Sequence, residues 1–173
     1  RTENYRIHSL ADLHFSGDLF STQANWLHGV LADIGDISLQ SIDKKTPGLK
    51  HIESFEYETA KKIDYNLKHG IRSNNFDHSR SVAVRENNTY LLRSIAYRGV
   101  VSKVVNGYIY NELDYDKRKD VIIAFRVIRK SNDGSVTILW KKIASKESPK
   151  ITLRNGQTKS TVKDNDFIAD NSQ

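Results

Sequence analysis

The sequence predicts an α+β domain in which two N-terminal helices pack on a C-terminal antiparallel β-sheet of hairpins. Three observations predict it. Apolar residues recur about every 3.6 positions before residue 71 and about every second position after it. At the same point the residue types shift from Ala, Lys and Glu towards Val, Ile, Tyr and Arg, the types that suit a pleated, half-buried surface. The second half is also punctuated by Asn106-Gly107, Asn132-Asp133-Gly134 and Asn155-Gly156, combinations that accept the left-handed backbone of tight hairpin turns.

The first helix is expected over residues 21 to 34. Ser21 or Thr22 caps it, Ala24, Leu27, Val30, Leu31 and Ile34 form its buried stripe, and Gly35 stops it. A short strand through Ile37 to Leu39 ends at the turn Thr46-Pro47-Gly48. The second helix is expected over residues 53 to 69, with Ile52, Glu56, Ala60, Ile63 and Leu67 on one stripe, acids at its start, lysines at its end and Gly70 after it. Residues 71 to 80 are a connecting loop. Ser81 to Val84 and Thr89 to Tyr97 read as strands joined by Glu86-Asn87-Asn88, and Val100 to Tyr110 as a hairpin turning at Asn106-Gly107. The strongest hairpin pairs Asp120 to Lys130 with Ser135 to Ile143 and is expected to place Phe125, Val127, Ile138 and Trp140 in the core; the loop leaves two registers open. A last hairpin spans Lys150 to Val162. Helices first and strands later give one domain over residues 1–173: a helical part at about 21–70, a sheet part at about 80–163, and a polar tail at 164–173.

Composition narrows the function classes. The 173 residues hold no cysteine, which excludes disulfides, thiolate nucleophiles and Cys-ligated metal centres and fits an extracytoplasmic or secreted protein. No apolar run reaches the eighteen or so residues that a membrane-spanning helix needs. Charge is unevenly placed. Residues 1–116 carry 14 Lys and Arg against 15 Asp and Glu, residues 117–163 carry 13 against 3, and the last ten carry three aspartates. A cationic block of that density projects a field that attracts polyanions, although lysines also commonly guard solvent-facing strands.

From that asymmetry the sequence predicts a non-catalytic interaction module. It presents a basic β surface, formed by Lys117, Arg118, Lys119, Arg126, Arg129, Lys141 and Lys142, to an anionic polymer such as nucleic acid or acidic glycan, or to an acidic protein surface. No cofactor is expected. Aromatics interleave with cations at Tyr90, Arg93, Tyr97 and Arg98 and again at Tyr108, Tyr110 and Tyr115, types that stack on bases or sugars and contact phosphate. Strand alternation sets Tyr90 on one face and Arg93 and Tyr97 on the other, so only part of the set can meet one ligand.

The alternative is a small phosphodiesterase or nuclease. Asp12-Leu13-His14 resembles the first motif of the calcineurin-like metallophosphoesterases, which implies Asp12 and His14 as metal ligands. That family's Gly-Asn-His-Asp/Glu motif and its later His-bearing motifs are absent, and Gly35-Asp36 matches only a fragment of its second. A metal-free version would use Asp77, His78 and Arg80 as acid, base and phosphate clamp. The remaining histidines lack the spacing of a helical zinc site, and no nucleophile elbow, phosphate-binding loop or dinucleotide fingerprint occurs.

Overall fold

The computed structural model describes residues 11–22, 27–54, 71–73, 76–100, 102–111, 113–114, 118–154, 157–161 and 168–169. Its elements, in chain order, begin with β1 (His14–Ser16), β2 (Leu19–Ser21), β3 (Leu27–Gly35), a 3-10 turn (Leu39–Ser41) and the helix α1 (Leu49–Glu53). Then come β4 (Ile71–Ser73), β5 (Phe76–Ser79), β6 (Ser81–Ala83), β7 (Thr89–Ala96), β8 (Arg98–Val100), β9 (Ser102–Val105) and β10 (Tyr108–Asn111). The chain continues with β11 (Lys119–Lys130), β12 (Val136–Glu147), β13 (Lys150–Arg154), β14 (Gln157–Thr161) and β15 (Ile168–Ala169).

A seven-stranded sheet in the order β15-β12-β11-β7-β3-β5-β4 forms the body, with every neighbouring pair antiparallel. Its central strands are buried on both faces. One face, carrying Val30, Ala32, Leu91, Ile122 and Ala124, packs on Ile42, Leu49 and Ile52 from the α1 region. The other, carrying Leu31, Tyr90, Leu92, Phe125 and Val127, packs on Phe20 and Val84 beside the small sheet β1-β2-β6. Phe20 meets Phe125 edge-on at 5.0 Å and Tyr90 at 5.5 Å, while Tyr90 stacks on Phe125 at 5.1 Å, arrangements that the ring quadrupoles favour. Two lesser sheets complete the fold: the β9–β10 hairpin, and β14-β13-β8, in which β13 runs parallel to β8.

The two-helix expectation is overturned. Helix among the described residues is confined to Leu39–Ser41 and Leu49–Glu53, so the described part of the chain is nearly all β rather than α+β. Ser21 ends β2, and the stripe assigned to the first helix lies largely on β3. The reason is burial. A strand covered on both faces loses its apolar/polar alternation, so Leu27, Val30, Leu31 and Ile34 match helical spacing by chance. Gly29 marks the strand: Thr22 lies so close that a Cβ there would overlap its side chain, and the Thr22 hydroxyl donates to the Gly29 carbonyl at 3.1 Å. Residues 55–70, which hold nearly all of the second expected helix, lie outside the described residues.

The hairpin expectations fare better. Asn106 and Gly107 both have positive φ, 52° and 82°, and join β9 to β10 as a type I′ turn requires. β11 pairs with β12 from Lys119↔Glu147 to Lys130↔Val136, with irregularities after Ile122 and Val127. Gly134, at φ 82°, donates its backbone N–H to the Ser131 carbonyl in the connecting loop. Phe125 and Val127 are buried and Ile138 is partly so, but Trp140 is 63% exposed, because β12 lies near the sheet's margin where the small sheet no longer covers that face. β6 and β7 are consecutive strands but not partners; β6 pairs with β2 and β7 with β3 and β11. The Asn155-Gly156 turn lies outside the described residues.

Candidate functional site

The β11–β12 ribbon carries most of the predicted cationic surface. Seven Lys and Arg and three Asp and Glu lie between Lys119 and Glu147. Cross-strand partners share a face, so pairing sorts them. Arg126 opposes Leu139, Arg129 opposes Thr137, and Lys141 opposes Ala124, which places all three cations on the α1 side of the sheet. Lys142 opposes Ile123 and shares the other face with Trp140 and Ile138.

Several of these cations have partners in the fold. Arg126 pairs with Asp36 at 2.7 Å and donates to the Ile37 carbonyl at 2.8 Å. Lys141 donates to the Ile42 carbonyl at 2.9 Å, and Lys119 lies 4.0 Å from Glu147, its cross-strand partner. Arg118 is buried and donates to the Tyr97 carbonyl at 3.1 Å, so it is a strut and not surface. Arg129 and Lys142 are exposed. Lys117 lies outside the described residues. Between the cations sit Leu139 and Trp140, consecutive residues on opposite faces, exposed by 53% and 63%.

The interleaved aromatic set is divided by burial. Tyr90, Arg93 and Tyr97 are core residues. The Tyr90 hydroxyl accepts from the Arg85 N–H at 2.8 Å and donates to the Ala83 carbonyl at 3.0 Å, and burial raises its pKa. Tyr97 lies 2.7 Å from His28 through its hydroxyl, and Arg98 pairs with Glu147 at 2.6 Å. Tyr108 is exposed at the tip of the β9–β10 hairpin, and Tyr115 lies outside the described residues.

The candidate catalytic residues do not converge. Asp77 and His78 are adjacent on β5 and point to opposite faces: Asp77 is exposed, while His78 is buried with its ring 4.3 Å from that of His51 on α1. Burial lowers the pKa of His51, which favours neutral imidazole there. Arg80 is half-buried beyond the end of β5. Asp12 is exposed ahead of β1, and His14 opens that strand opposite Ser21. No group of three or more His, Asp or Glu side chains among the described residues is placed to hold a metal ion.

A cleft of about 470 Å³ opens between β3, β5 and β6, with Asp33, Asp77, Ser79, Arg85 and Asn88 on its walls. Its inner carboxylate is already engaged. Asp33 accepts from the Asn88 amide at 2.9 Å through each oxygen and from the Gly35 N–H at 2.9 Å, and pairs with Arg85 at 3.3 Å. These bonds hold the β6–β7 connection against β3.

No family model, curated protein or solved structure matches this chain. No helix among the described residues is long and apolar enough to cross a membrane.

Proposed function

We propose that this protein is a non-catalytic binding module that presents its β11–β12 ribbon to an acidic partner. The observation that supports the reading is the composition and placement of that ribbon. Cations outnumber acids by seven to three along it, and two large apolar side chains, Leu139 and Trp140, stand exposed among them. Exposed apolar residues ringed by polar ones mark interaction surfaces, and depletion of acid on the same ribbon selects a partner of opposite charge. The Lys119–Glu147 pair sits at the surface, where such pairs contribute little and exchange readily for an incoming carboxylate.

The test is a salt titration with a fluorescently labelled acidic peptide and, separately, with heparin and a short single-stranded DNA. Affinity for the acidic peptide is expected to fall roughly tenfold or more between low and moderate salt. Arg129→Glu and Lys142→Glu together should weaken it further without changing the unfolding midpoint. Binding that ignores both salt and charge reversal, or no binding by any of the three anions, overturns the proposal.

A further inference from the structure

The β9–β10 hairpin ends in an apolar tip. Val104, Val105, Tyr108 and Ile109 flank the Asn106-Gly107 turn, and all four are exposed, by 49% to 79%. Apolar residues scattered singly over a surface need no explanation, but four large ones within six residues do. Cross-strand partners share a face, so Val104 and Ile109 cover one side of the ribbon and Val105 and Tyr108 the other. The tip is therefore apolar on both sides. Among the described residues β9 and β10 form a sheet of their own, joined to no third strand. Their base is fixed where Asn111 Nδ2 donates to the Gly99 carbonyl at 3.0 Å and to the Asp114 carboxylate at 2.7 Å.

Geometry and charge narrow the occupant. A flat protein surface, or a second copy laid face to face, covers one side of a two-stranded ribbon and leaves the other in water. A lipid interface is fluid and closes around both. From Val104 to the turn is a matter of three residues at about 3.4 Å each, or about 10 Å, which matches the depth of about 5–10 Å at which amphipathic segments rest in the boundary between headgroups and acyl chains. Residues 104–111 carry no charge, and Tyr108 is of a type enriched at membrane interfaces. The outward backbone groups of the turn and the Asn106 amide hold the tip at that wet boundary, because in the hydrocarbon core they would lack hydrogen-bond partners. The formal charge of +6 on the chain draws it towards an anionic leaflet.

We infer that the β9–β10 tip inserts shallowly into the surface of an anionic lipid bilayer, with Val104, Val105, Tyr108 and Ile109 entering the headgroup boundary together from both sides of the ribbon. These residues are not those of the β11–β12 ribbon, which is proposed above to meet an acidic partner. The hairpin supplies apolar area, and the charge of the chain supplies attraction to the surface.

The experiment uses the full chain and vesicles of phosphatidylcholine with about one-quarter phosphatidylserine. Because the chain has no cysteine, Ile109→Cys and Tyr108→Cys each give a single attachment point for an environment-sensitive fluorophore, one on each side of the ribbon. Both labels should shift to the blue when vesicles are added, and both should be quenched more by lipid spin-labelled high on the acyl chain than by lipid spin-labelled near its end. In vesicle flotation, Val104→Thr/Ile109→Thr and Val105→Thr/Tyr108→Thr, whose β-branched threonines keep strand preference, should each bind at least tenfold more weakly than the parent. Their unfolding midpoints and their affinity for the acidic peptide should stay those of the parent. Threonine variants that bind vesicles like the parent, or a shift of one label alone, overturn the insertion in favour of charge-driven adsorption. Equal binding to phosphatidylcholine alone overturns the anionic preference. Self-association without lipid that shifts the labels assigns the tip to a second copy and overturns the membrane. No vesicle binding at all also overturns it, while binding of the acidic peptide, read separately, decides the function proposed for the β11–β12 ribbon.

Discussion

Arg93 and Asp120 form a bidentate ion pair from which solvent is wholly excluded, with both side chains at 0% exposure. Arg93 Nε donates to one carboxylate oxygen at 2.9 Å and Nη2 to the other at 2.7 Å. Its remaining nitrogen, Nη1, donates to the carbonyls of Ile52 and Glu53 at 2.8 and 3.0 Å. One side chain thus ties β7 to β11 and fastens the end of α1 to the sheet, meeting carbonyls that a helix leaves unsatisfied. Burial drives the guanidinium down to about 10 and the carboxyl up to about 7, which opposes charge on either group alone.

Removing one partner should therefore be far worse than removing both. Arg93→Met or Asp120→Leu alone is expected to cost about 3–5 kcal/mol, because each leaves a buried charge without its counterpart. The double variant should recover much of that loss. Urea unfolding of the three proteins measures it, and single variants costing under about 1 kcal/mol would contradict the brace described here.

His51 gives a pH dependence whose sign follows from burial. Its folded pKa is lowered from 6.5, so the unfolded chain takes up the proton more readily. The stability from neutral His51 is fully present above about 6.5 and is lost as pH falls through the lower folded value. The sign for His51 must be read from a difference: thermal melts between pH 5 and 8 should show His51→Gln losing less stability on acidification than the parent. Parallel curves would remove His51 as a source of the dependence.

The hairpins were legible because their cause is local. Asn106-Gly107 adopts its positive-φ turn through the backbone preferences of two adjacent residues, which a sequence shows directly. β3 was not legible as a strand, because its burial pattern depends on β7, β5 and the small sheet arriving from elsewhere in the chain. Gly29 was the available signal, since glycine in the middle of a helix is unfavourable and invites a packing explanation. The cationic ribbon was legible as charge but not as surface. Nothing in the string Arg118-Lys119 distinguishes a buried strut to Tyr97 from an exposed lysine, and alternation alone cannot show that Arg126 and Lys141 reach carbonyls of the α1 region. Arg93 and Asp120 lie 27 residues apart, and only the pairing of β7 with β11 brings them together.

The close approach at Gly29 predicts a specific intolerance. Gly29→Ala places a methyl group on Thr22, so the β2–β3 corner must shift, and overpacking of this kind costs about 1–3 kcal/mol. Thr22→Ser in the same chain removes the Thr22 methyl group and should return part of the loss. Chemical denaturation of both variants checks it; a Gly29→Ala protein as stable as the parent would mean that the corner is looser than described.

Phe125 and Trp140 are cross-strand partners of contrasting status, and stability measurements should separate them. Phe125 is fully buried against Phe20 and Tyr90, so Phe125→Ala should cost about 3–5 kcal/mol. Trp140 keeps most of its surface in water, so Trp140→Ala should cost no more than the roughly 0.2–1 kcal/mol of a cross-strand pair. Acrylamide should quench Trp140 fluorescence, with the contribution assigned by comparison with Trp140→Phe. A large aromatic that adds little to stability and remains open to a quencher is available for a partner. If Trp140→Ala instead proves as damaging as Phe125→Ala, the ring belongs to the core and cannot anchor a partner.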